Sequence, residues 1–341
     1  MRALLLESLG PIESGRAVLR LAELPVPRPA PGEVLVQVSV CGVCRTDLDE
    51  IEGRTPPPRL PVIPGHQVVG TVVERGEGAG LHPLGSRVGV GWIHSSSGDE
   101  GENLSPLFRA TGRDVDGGYA EYLRVPERYA FPIPPIFRDI EAAPLLCAGA
   151  IGYRSLRLAG LRDGEPLGLM GFGASAHLVL QLARHVYPRS PIFVFAREQS
   201  ARETARELGA LWTGSIDDPP PERARAIIDT TPAWRPVVRA LAALRPGGRL
   251  VINAIAKEPG DQAALLDLSY AEHLWLEREV KSVANITARD IAEFLPLAAA
   301  IPLRPRVTCY PLEAANDVLR ELREGGGPAG AKVLCVGGAT R

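Results

Sequence analysis

The feature that most constrains the fold is a strand–helix alternation that begins beyond residue 150. Short apolar segments alternate there with amphipathic ones, and the loops between them are short. The apolar segments predict buried strands at 167–170, 192–195, 226–228 and 249–253. The amphipathic segments predict helices at 175–186, 200–208 and 236–244. Such an alternation predicts a parallel sheet covered by helices on both faces.

The flanking regions follow a different pattern. Turn-rich sequence before residue 150 separates β-type segments at 33–40, 67–74, 87–90 and 117–125. Short strands of this kind predict a sheet or barrel of mostly antiparallel strands. From about residue 290 the pattern predicts helices near 288–299 and 313–323 and a strand at 332–336. A chain of 341 residues exceeds one ordinary domain and fits two.

Composition excludes several classes of protein. The 38 basic and 40 acidic residues give a net charge of −2, which lacks the basic excess of an electrostatic nucleic-acid binder. No apolar run has the roughly 18 residues of a membrane span, and the apolar N-terminal stretch is too short for a signal peptide. Five cysteines are too few, and odd in number, for a disulfide framework. We therefore expect a cytoplasmic protein with free thiols that can bind metal.

A glycine-rich turn lies between the first strand and the first helix of the alternating region. Residues 171–176 read G-x-G-x-x-A, a permitted form of the dinucleotide-binding fingerprint. Gly171 permits a tight turn, Gly173 lets a pyrophosphate approach the backbone, and Ala174 opens the helix whose N-terminal amides face the phosphates. Ala176 is small enough for close packing of helix and strand. Glycine turns between strands and helices are also common without a nucleotide.

The end of the second strand bears on the choice of cofactor. NAD-binding proteins carry an acidic residue about 20 positions beyond the glycine turn, where it binds the ribose hydroxyls. This chain has Ala196 there, followed by Arg197. A guanidinium suits a 2′-phosphate, so the sequence favours NADP over NAD. The alternative is an arginine that faces only solvent.

Three separate segments carry residues of metal-ligand type. Cys41 and Cys44 form a CxxC motif after a predicted strand, His66 lies in PGHQVVG, and Cys147 lies in LCAG. The CxxC is also compatible with half a zinc ribbon or a redox dithiol, although a ribbon needs a second CxxC that the chain lacks. The spacing alone does not bring the three segments together.

Taken together, the motifs resemble the zinc-dependent alcohol dehydrogenases of the medium-chain dehydrogenase/reductase superfamily. The resemblance covers CGVCRTD at 41–47, PGHQVVG at 64–70, GGYAEY at 117–122, LCAG at 146–149, the glycine turn and LRPGG at 244–248. It implies an α/β protein with a GroES-like β-barrel catalytic domain and a Rossmann doubly wound domain. The catalytic domain would comprise residues 1–150 and 288–341, and the NAD(P)-binding domain residues 151–287.

The resemblance also implies a catalytic zinc ion. Cys44, His66 and Cys147 would be its ligands, and the open fourth position would take water or the alcohol oxygen. Cys41 matches no ligand position, so we expect a buried packing thiol. We likewise expect Cys309 and Cys335 to be core residues without partners.

Further roles follow from the same resemblance. Thr46 would hydrogen-bond the substrate hydroxyl and begin proton export, and Asp47 would orient His66. Arg45 would contact a cofactor phosphate, and Trp92 would line a pocket for modest apolar substrates. The same residues are also compatible with a buried threonine, a capping aspartate and a surface arginine.

The chain departs from the family pattern in three places. Residues 95–105 hold none of the four cysteines that bind a second, structural zinc in most members, so we expect one zinc per chain. This loop would be mobile unless packing or a subunit contact holds it. Gln67 stands where members usually have Glu beside the ligand histidine. Asp49 stands where some members have a histidine that passes the proton to solvent, and a carboxylate with a pKa of about 4 is a poor shuttle at neutral pH.

The sequence thus predicts a zinc-dependent enzyme that transfers hydride between a primary or small apolar alcohol and NAD(P). A zinc-free enone or quinone reductase and a non-catalytic nucleotide-binding protein on the same fold are the alternatives. Family members form dimers and tetramers, so we expect a homodimer or homotetramer. We expect neither a nucleic-acid partner nor a membrane partner.

Overall fold

The computed structural model describes residues 1–13, 15–301, 303–325 and 330–337. The strands in these ranges are β1 Arg2–Leu6, β2 Leu19–Glu23, β3 Glu33–Val43, β4 Val68–Arg75, β5 Arg87–Val90, β6 Ile93–Ser95, β7 Arg109–Ala110, β8 Tyr122–Pro126, β9 Phe131–Pro132, β10 Leu167–Met170, β11 Ile192–Phe195, β12 Trp212–Gly214, β13 Ala224–Asp229, β14 Leu244–Ile252, β15 Glu279–Ser282, β16 Val307–Pro311 and β17 Ala331–Cys335. The α-helices are α1 Arg45–Ile51, α2 Asp139–Ala142, α3 Ala148–Ala159, α4 Ala174–Val186, α5 Gln199–Glu207, α6 Arg235–Ala242, α7 Ala288–Ala300 and α8 Ala315–Glu324. None of these helices combines the length and apolar character needed to cross a bilayer.

The chain divides into two compact units, which are Met1–Ala150 with Asn285–Arg341, and Ile151–Ala284. The second unit holds a sheet with the strand order β12-β11-β10-β13-β14-β15, and every neighbouring pair is parallel. Its strands β10 and β11 are continuous apolar runs, as expected for strands covered on both faces, and Phe193, Ile227 and Leu250 are fully buried. The predicted parallel sheet is confirmed. The sequence missed β15, whose four residues are all exposed and include two charges.

The first unit is built around the long strand β3. The described residues place it in a sheet of order β16-β17-β3-β4-β5-β9, with β8 also paired to β3. All pairs are antiparallel except β16 with β17. Alternating burial along β3 puts Val34, Val36 and Val38 in the core while Gln37 is exposed.

One predicted strand is shorter than expected. The segment 117–125 becomes a strand only from Tyr122, because the preceding backbone has other partners. Gly117 donates its N–H to Ile63 at 2.6 Å, and Gly118 donates to Gly65 at 2.9 Å. Residues 117 and 118 therefore pack against the 63–65 loop rather than beside a strand.

The prediction for two cysteines is wrong. Cys309 and Cys335 are joined by a disulfide, with their Cα atoms 6.3 Å apart. They lie on the neighbouring parallel strands β16 and β17, so the fold brings together residues that are 26 positions apart. Nothing in the local pattern around either cysteine shows this pairing. The cytoplasmic location, which we inferred partly from free thiols, stays a prediction.

The segment 95–105 is held by its own hydrogen bonds and by packing. Glu102 is only 2% exposed. Its carboxylate accepts the backbone N–H of Ala288 at 2.6 Å, the first residue of α7, and the hydroxyl of Tyr129 at 2.9 Å. The side chain of Asn285 donates to the carbonyl of Asn103 at 2.9 Å. Packing within the first unit thus holds a segment that lacks the four cysteines.

Candidate functional site

Cys44 stands at a junction that fixes its direction. Strand β3 ends at Val43 and α1 begins at Arg45, so Cys44 is the N-cap of this helix. The carboxylate of Asp47 accepts the backbone N–H of Cys44 at 2.8 Å, which closes the first turn. The hydroxyl of Thr46 donates a hydrogen bond to the Cys44 sulfur.

His66 is positioned by the loop before β4. Gly65 has a φ of +95°, and a Cβ there would lie 2.4 Å from the Tyr119 ring, so only glycine fits. The imidazole of His66 is fully buried. Its Nε2 lies 3.2 Å from Cys44 Sγ, and its Nδ1 faces Asp47 Oδ1 at 3.4 Å. The carboxylate therefore orients the ring so that Nε2 points to the sulfur.

Cys147 completes the cluster. It follows a short 3₁₀ helix at Ala143–Leu146 and directly precedes α3. The ligand atoms of Cys44, His66 and Cys147 all lie within 4.8 Å of one another. The fold thus brings together three residues whose sequence spacing gives no hint of contact.

Interactions within the cluster shift the pKa values of all three of its residues. A hydrogen bond from the Cys147 thiol holds the pKa of Cys44 well below its usual value, and the same contact raises the pKa of Cys147. Burial opposes protonation of His66, but the Cys44 thiolate and the Asp47 carboxylate outweigh it and raise its pKa. Two sulfurs and an imidazole nitrogen in this arrangement match the donor set that zinc prefers.

Cys41 differs from the three cluster residues. It is fully buried on β3, and its sulfur lies near Gly65 and Gly118. Burial raises the pKa of its thiol well above the usual value. This surrounding is that of a packing thiol.

Three further side chains surround His66. Gln67 is 2% exposed and packs against Gly42 of β3. The Trp92 ring meets the His66 ring edge-on, with 6.4 Å between centroids. Glu50, which the sequence analysis did not single out, is 1% exposed and accepts the indole N–H of Trp92 at 3.1 Å. Burial raises the pKa of Glu50 well above its usual value.

Asp49 forms an ion pair with Arg54. It is 3% exposed, and its carboxylate pairs with the guanidinium of Arg54 at 2.5 Å. Burial raises the pKa of Asp49, against the opposing effects of Arg54 and Arg45. An ion-paired carboxylate is poorly suited to carry protons to solvent. Arg45 itself is half-buried in the first turn of α1.

The glycine turn in the second unit has the geometry of a phosphate-binding turn. Gly171 has a φ of +83°, and its N–H donates to Phe195 at 2.9 Å. Gly173 is the N-cap of α4, and a Cβ built on it meets no atom within 4 Å, which leaves room for a ligand at the helix N-terminus. Ala174 opens the helix, and Ala176 is fully buried.

Two arginines follow β11. Arg197 is exposed, and no hydrogen bond or ion pair to another described residue engages its guanidinium. Arg202 on α5 donates to the carbonyl of Ala196 at 3.4 Å and to Gln199 at 3.1 Å.

The sequence analysis missed Arg202 and Glu50. The signal for Glu50 was its place three positions after Asp47, which puts both on one face of α1.

The sequence matches known proteins over nearly its full length. Residues 30–135 match the family model of the alcohol dehydrogenase GroES-like domain. The probable alcohol dehydrogenase AdhA of Mycobacterium tuberculosis (strain CDC 1551 / Oshkosh) is 42% identical over 338 residues, which cover 96% of this chain and 95% of that protein. The chain belongs to the zinc-type alcohol dehydrogenase family of medium-chain dehydrogenases/reductases.

The chain is also similar to other alcohol dehydrogenases. An alcohol dehydrogenase of Geobacillus stearothermophilus is 33% identical, with 91% of this chain and 94% of that protein covered. The crystal structure of an NAD-dependent alcohol dehydrogenase superposes with a TM-score of 0.87 at 26% identity, covering 99% of this chain and 100% of that one. The predicted family, its GroES-like and Rossmann fold, and the predicted NAD(P)-dependent alcohol dehydrogenase class are confirmed. The reaction interconverts small-molecule alcohols with their carbonyl products.

Proposed function

We propose that this alcohol dehydrogenase works with one catalytic zinc ion, held by Cys44, His66 and Cys147. The observation that carries the proposal is the convergence of three ligand atoms within 4.8 Å, two of them sulfurs of half-buried cysteines. Zinc held there would supply Lewis acidity that lowers the pKa of an alcohol and polarises a carbonyl. The absence of cysteines from 95–105 supports a single ion per chain.

The chain's own residues orient the alcohol. Asp47 holds His66 by its Nδ1, which directs Nε2 toward Cys44. The Thr46 hydroxyl donates to Cys44, and its oxygen keeps lone pairs that accept a hydrogen bond from the substrate hydroxyl, whose proton leaves to water. Hydride passes from the alcohol carbon to the nicotinamide, so the products are a carbonyl compound, NAD(P)H and one proton. Asp49, paired with Arg54, leaves proton export to water.

The substrates we propose are primary or small apolar alcohols, since Trp92 presents an aromatic ring beside His66. A test combines metal analysis with alcohol-dependent formation of NAD(P)H. One zinc per chain with turnover of ethanol or benzyl alcohol supports the proposal. A metal-free enzyme that reduces enones would favour the zinc-free reductase, and nucleotide binding without any turnover would favour a non-catalytic protein.

For the cofactor we infer a preference for NADP. Support comes from Ala196 at the position of the expected acid, and from the exposed guanidinium of Arg197 beside it. The solved relative named NAD-dependent favours the other choice. Arg197→Ala should raise the KM for NADP about tenfold, or about 1.4 kcal/mol, and leave that for NAD unchanged. Arg206→Ala, on the helix α5 that follows Arg197, is the matched control. A wild-type preference for NAD would contradict this inference.

A dimer through the edge of the parallel sheet is also proposed. Strand β15 is the last strand of its sheet and is exposed throughout. Large apolar side chains on and before this strand are also exposed, namely Tyr270 at 66%, Trp275 at 54%, Leu276 at 47% and Val280 at 47%. A group of exposed apolar side chains at an unpaired sheet edge is typical of an interface with another chain. Sedimentation should show a homodimer or homotetramer, and Val280→Lys should shift it toward monomer. A monomeric wild type would contradict the proposal.

A further inference from the structure

Glu50 is a buried carboxylate that the mechanism does not use. It is 1% exposed on α1, and one of its carboxyl oxygens lies within 4.8 Å of the ligand atoms of Asp47 and His66. One oxygen accepts the indole N–H of Trp92 at 3.1 Å, and the other has no hydrogen-bond partner in the described part of the chain. Burying a carboxylate in this way is costly. The cost is explained if the single hydrogen bond serves a function.

Trp92, the hydrogen-bond partner of Glu50, lies between His66 of the ligand cluster and a cavity. The half-buried ring of Trp92 meets His66 at 6.4 Å on one side and Phe108 at 5.6 Å on another. Phe108 in turn lines a cavity of about 340 Å³, together with Pro58 and Leu107. Trp92 therefore connects His66, a proposed zinc ligand, to the aromatic lining of this cavity.

The indole ring has one hydrogen-bond donor, its N–H. The hydrogen bond that this N–H makes determines the orientation of the ring. A tryptophan side chain has two torsions, so fixing its N–H on a rigid acceptor fixes the plane of the ring. Glu50 is rigid because α1 is anchored at its N-cap by Asp47. Without this acceptor, a half-buried indole is free to turn toward water, where its N–H finds another partner.

We propose that Glu50 is a positioning residue that holds the Trp92 indole as the wall against which the apolar part of the alcohol packs. Glu50 thereby determines which alcohols fit, and it acts through Trp92 rather than on the reacting atoms. The inference rests on the proposed function, because it takes the substrate hydroxyl to lie at the Cys44, His66 and Cys147 cluster.

The test compares three variants with ethanol and benzyl alcohol as substrates. Glu50→Met removes the acceptor at similar length, Glu50→Gln keeps a carbonyl acceptor, and Trp92→Phe removes the donor. Glu50→Met should raise the KM for benzyl alcohol about tenfold, with a change of less than about threefold for ethanol and in kcat. Glu50→Gln should restore the wild-type KM within about twofold. Zinc content should be the same in all variants.

A double mutant separates positioning from other effects. In the Trp92→Phe background, Glu50→Met should have no further effect on the KM ratio of the two alcohols, since the acceptor has lost its donor. Near-ultraviolet circular dichroism of the substrate-free protein gives an independent readout. Glu50→Met should change the tryptophan bands of the wild-type background and leave those of the Trp92→Phe background unchanged.

The outcomes distinguish this inference from the proposed function. If the wild type oxidises neither alcohol, the proposed function fails. If it turns over and Glu50→Met leaves the KM ratio unchanged, or shifts it equally in the Trp92→Phe background, the positioning role is overturned. Should Glu50→Met fail to fold, Trp92→Phe alone must raise the benzyl alcohol KM relative to ethanol, and an unchanged ratio overturns the role.

Discussion

Two regions of the first unit carry metal-ligand cysteines in most of the family, and this chain has such cysteines in only one of them. The cluster of Cys44, His66 and Cys147 brings three ligand atoms, two of them sulfurs, within 4.8 Å of one another. The 95–105 segment, which carries cysteines in most of the family, holds none. Its place is fixed by the buried Glu102, which joins the N-terminus of α7 to Tyr129. In this chain a buried carboxylate thus holds the segment that lacks the cysteines, whereas the three proposed zinc ligands are all present in the cluster.

The largest expected effect comes from removing one ligand of the cluster. Cys147→Ser should abolish stoichiometric zinc binding and lower kcat/KM about 1000-fold, or about 4 kcal/mol, because the Lewis acid is lost. Cys41→Ala is the matched control, since this thiol is buried nearby without touching the cluster. It should keep both zinc and turnover. Equal losses in the two variants would show that the thiols matter only for packing.

The next effect is a pH dependence of stability that arises just before the 95–105 segment. His94 on β6 is 8% exposed, and burial lowers its pKa to about 4 from 6.5. The unfolded chain therefore binds the proton first as pH falls, so stability is lost from about pH 6.5 down to pH 4. The loss amounts to about 3 kcal/mol. Denaturant unfolding at pH 7 and pH 4 should show a smaller difference for His94→Gln; equal differences would contradict the assignment.

A smaller effect is expected from the anchor of the 95–105 segment. Glu102→Met leaves the Ala288 N–H without its acceptor and the Tyr129 hydroxyl with only the Ser96 carbonyl at 3.4 Å, so the free energy of unfolding should fall by about 2 kcal/mol. Urea unfolding measures this directly, and the zinc content should not change. Loss of zinc together with stability would mean that the two regions are not independent.

The smallest effect is expected from an exposed ion pair of the same segment. Glu100 pairs with Arg289 at 3.0 Å, but its side chain is 89% exposed. Glu100→Gln should therefore change stability by no more than about 0.5 kcal/mol. This variant serves as the matched control for Glu102, and a comparable loss in both would undermine the importance of burial.

The sequence predicts different parts of this molecule with different success. The parallel sheet follows from local periodicity, because strands covered on both faces are continuous apolar runs. The proposed zinc ligands came from the resemblance, since the contact between Cys44 and His66 spans 22 positions. The bond between Glu50 and Trp92 spans 42 positions, and that between Glu102 and Ala288 spans 186. Such contacts are made by the tertiary fold and leave no local pattern.

The central claim is the ligand set of a single zinc ion. X-ray absorption at the zinc edge of the purified, chelator-free protein tests it most directly. The account predicts one zinc per chain, with two sulfur neighbours at about 2.3 Å and two nitrogen or oxygen neighbours at about 2.0–2.1 Å. A spectrum with four sulfur neighbours, a spectrum with none, or a folded protein that holds no zinc would contradict it.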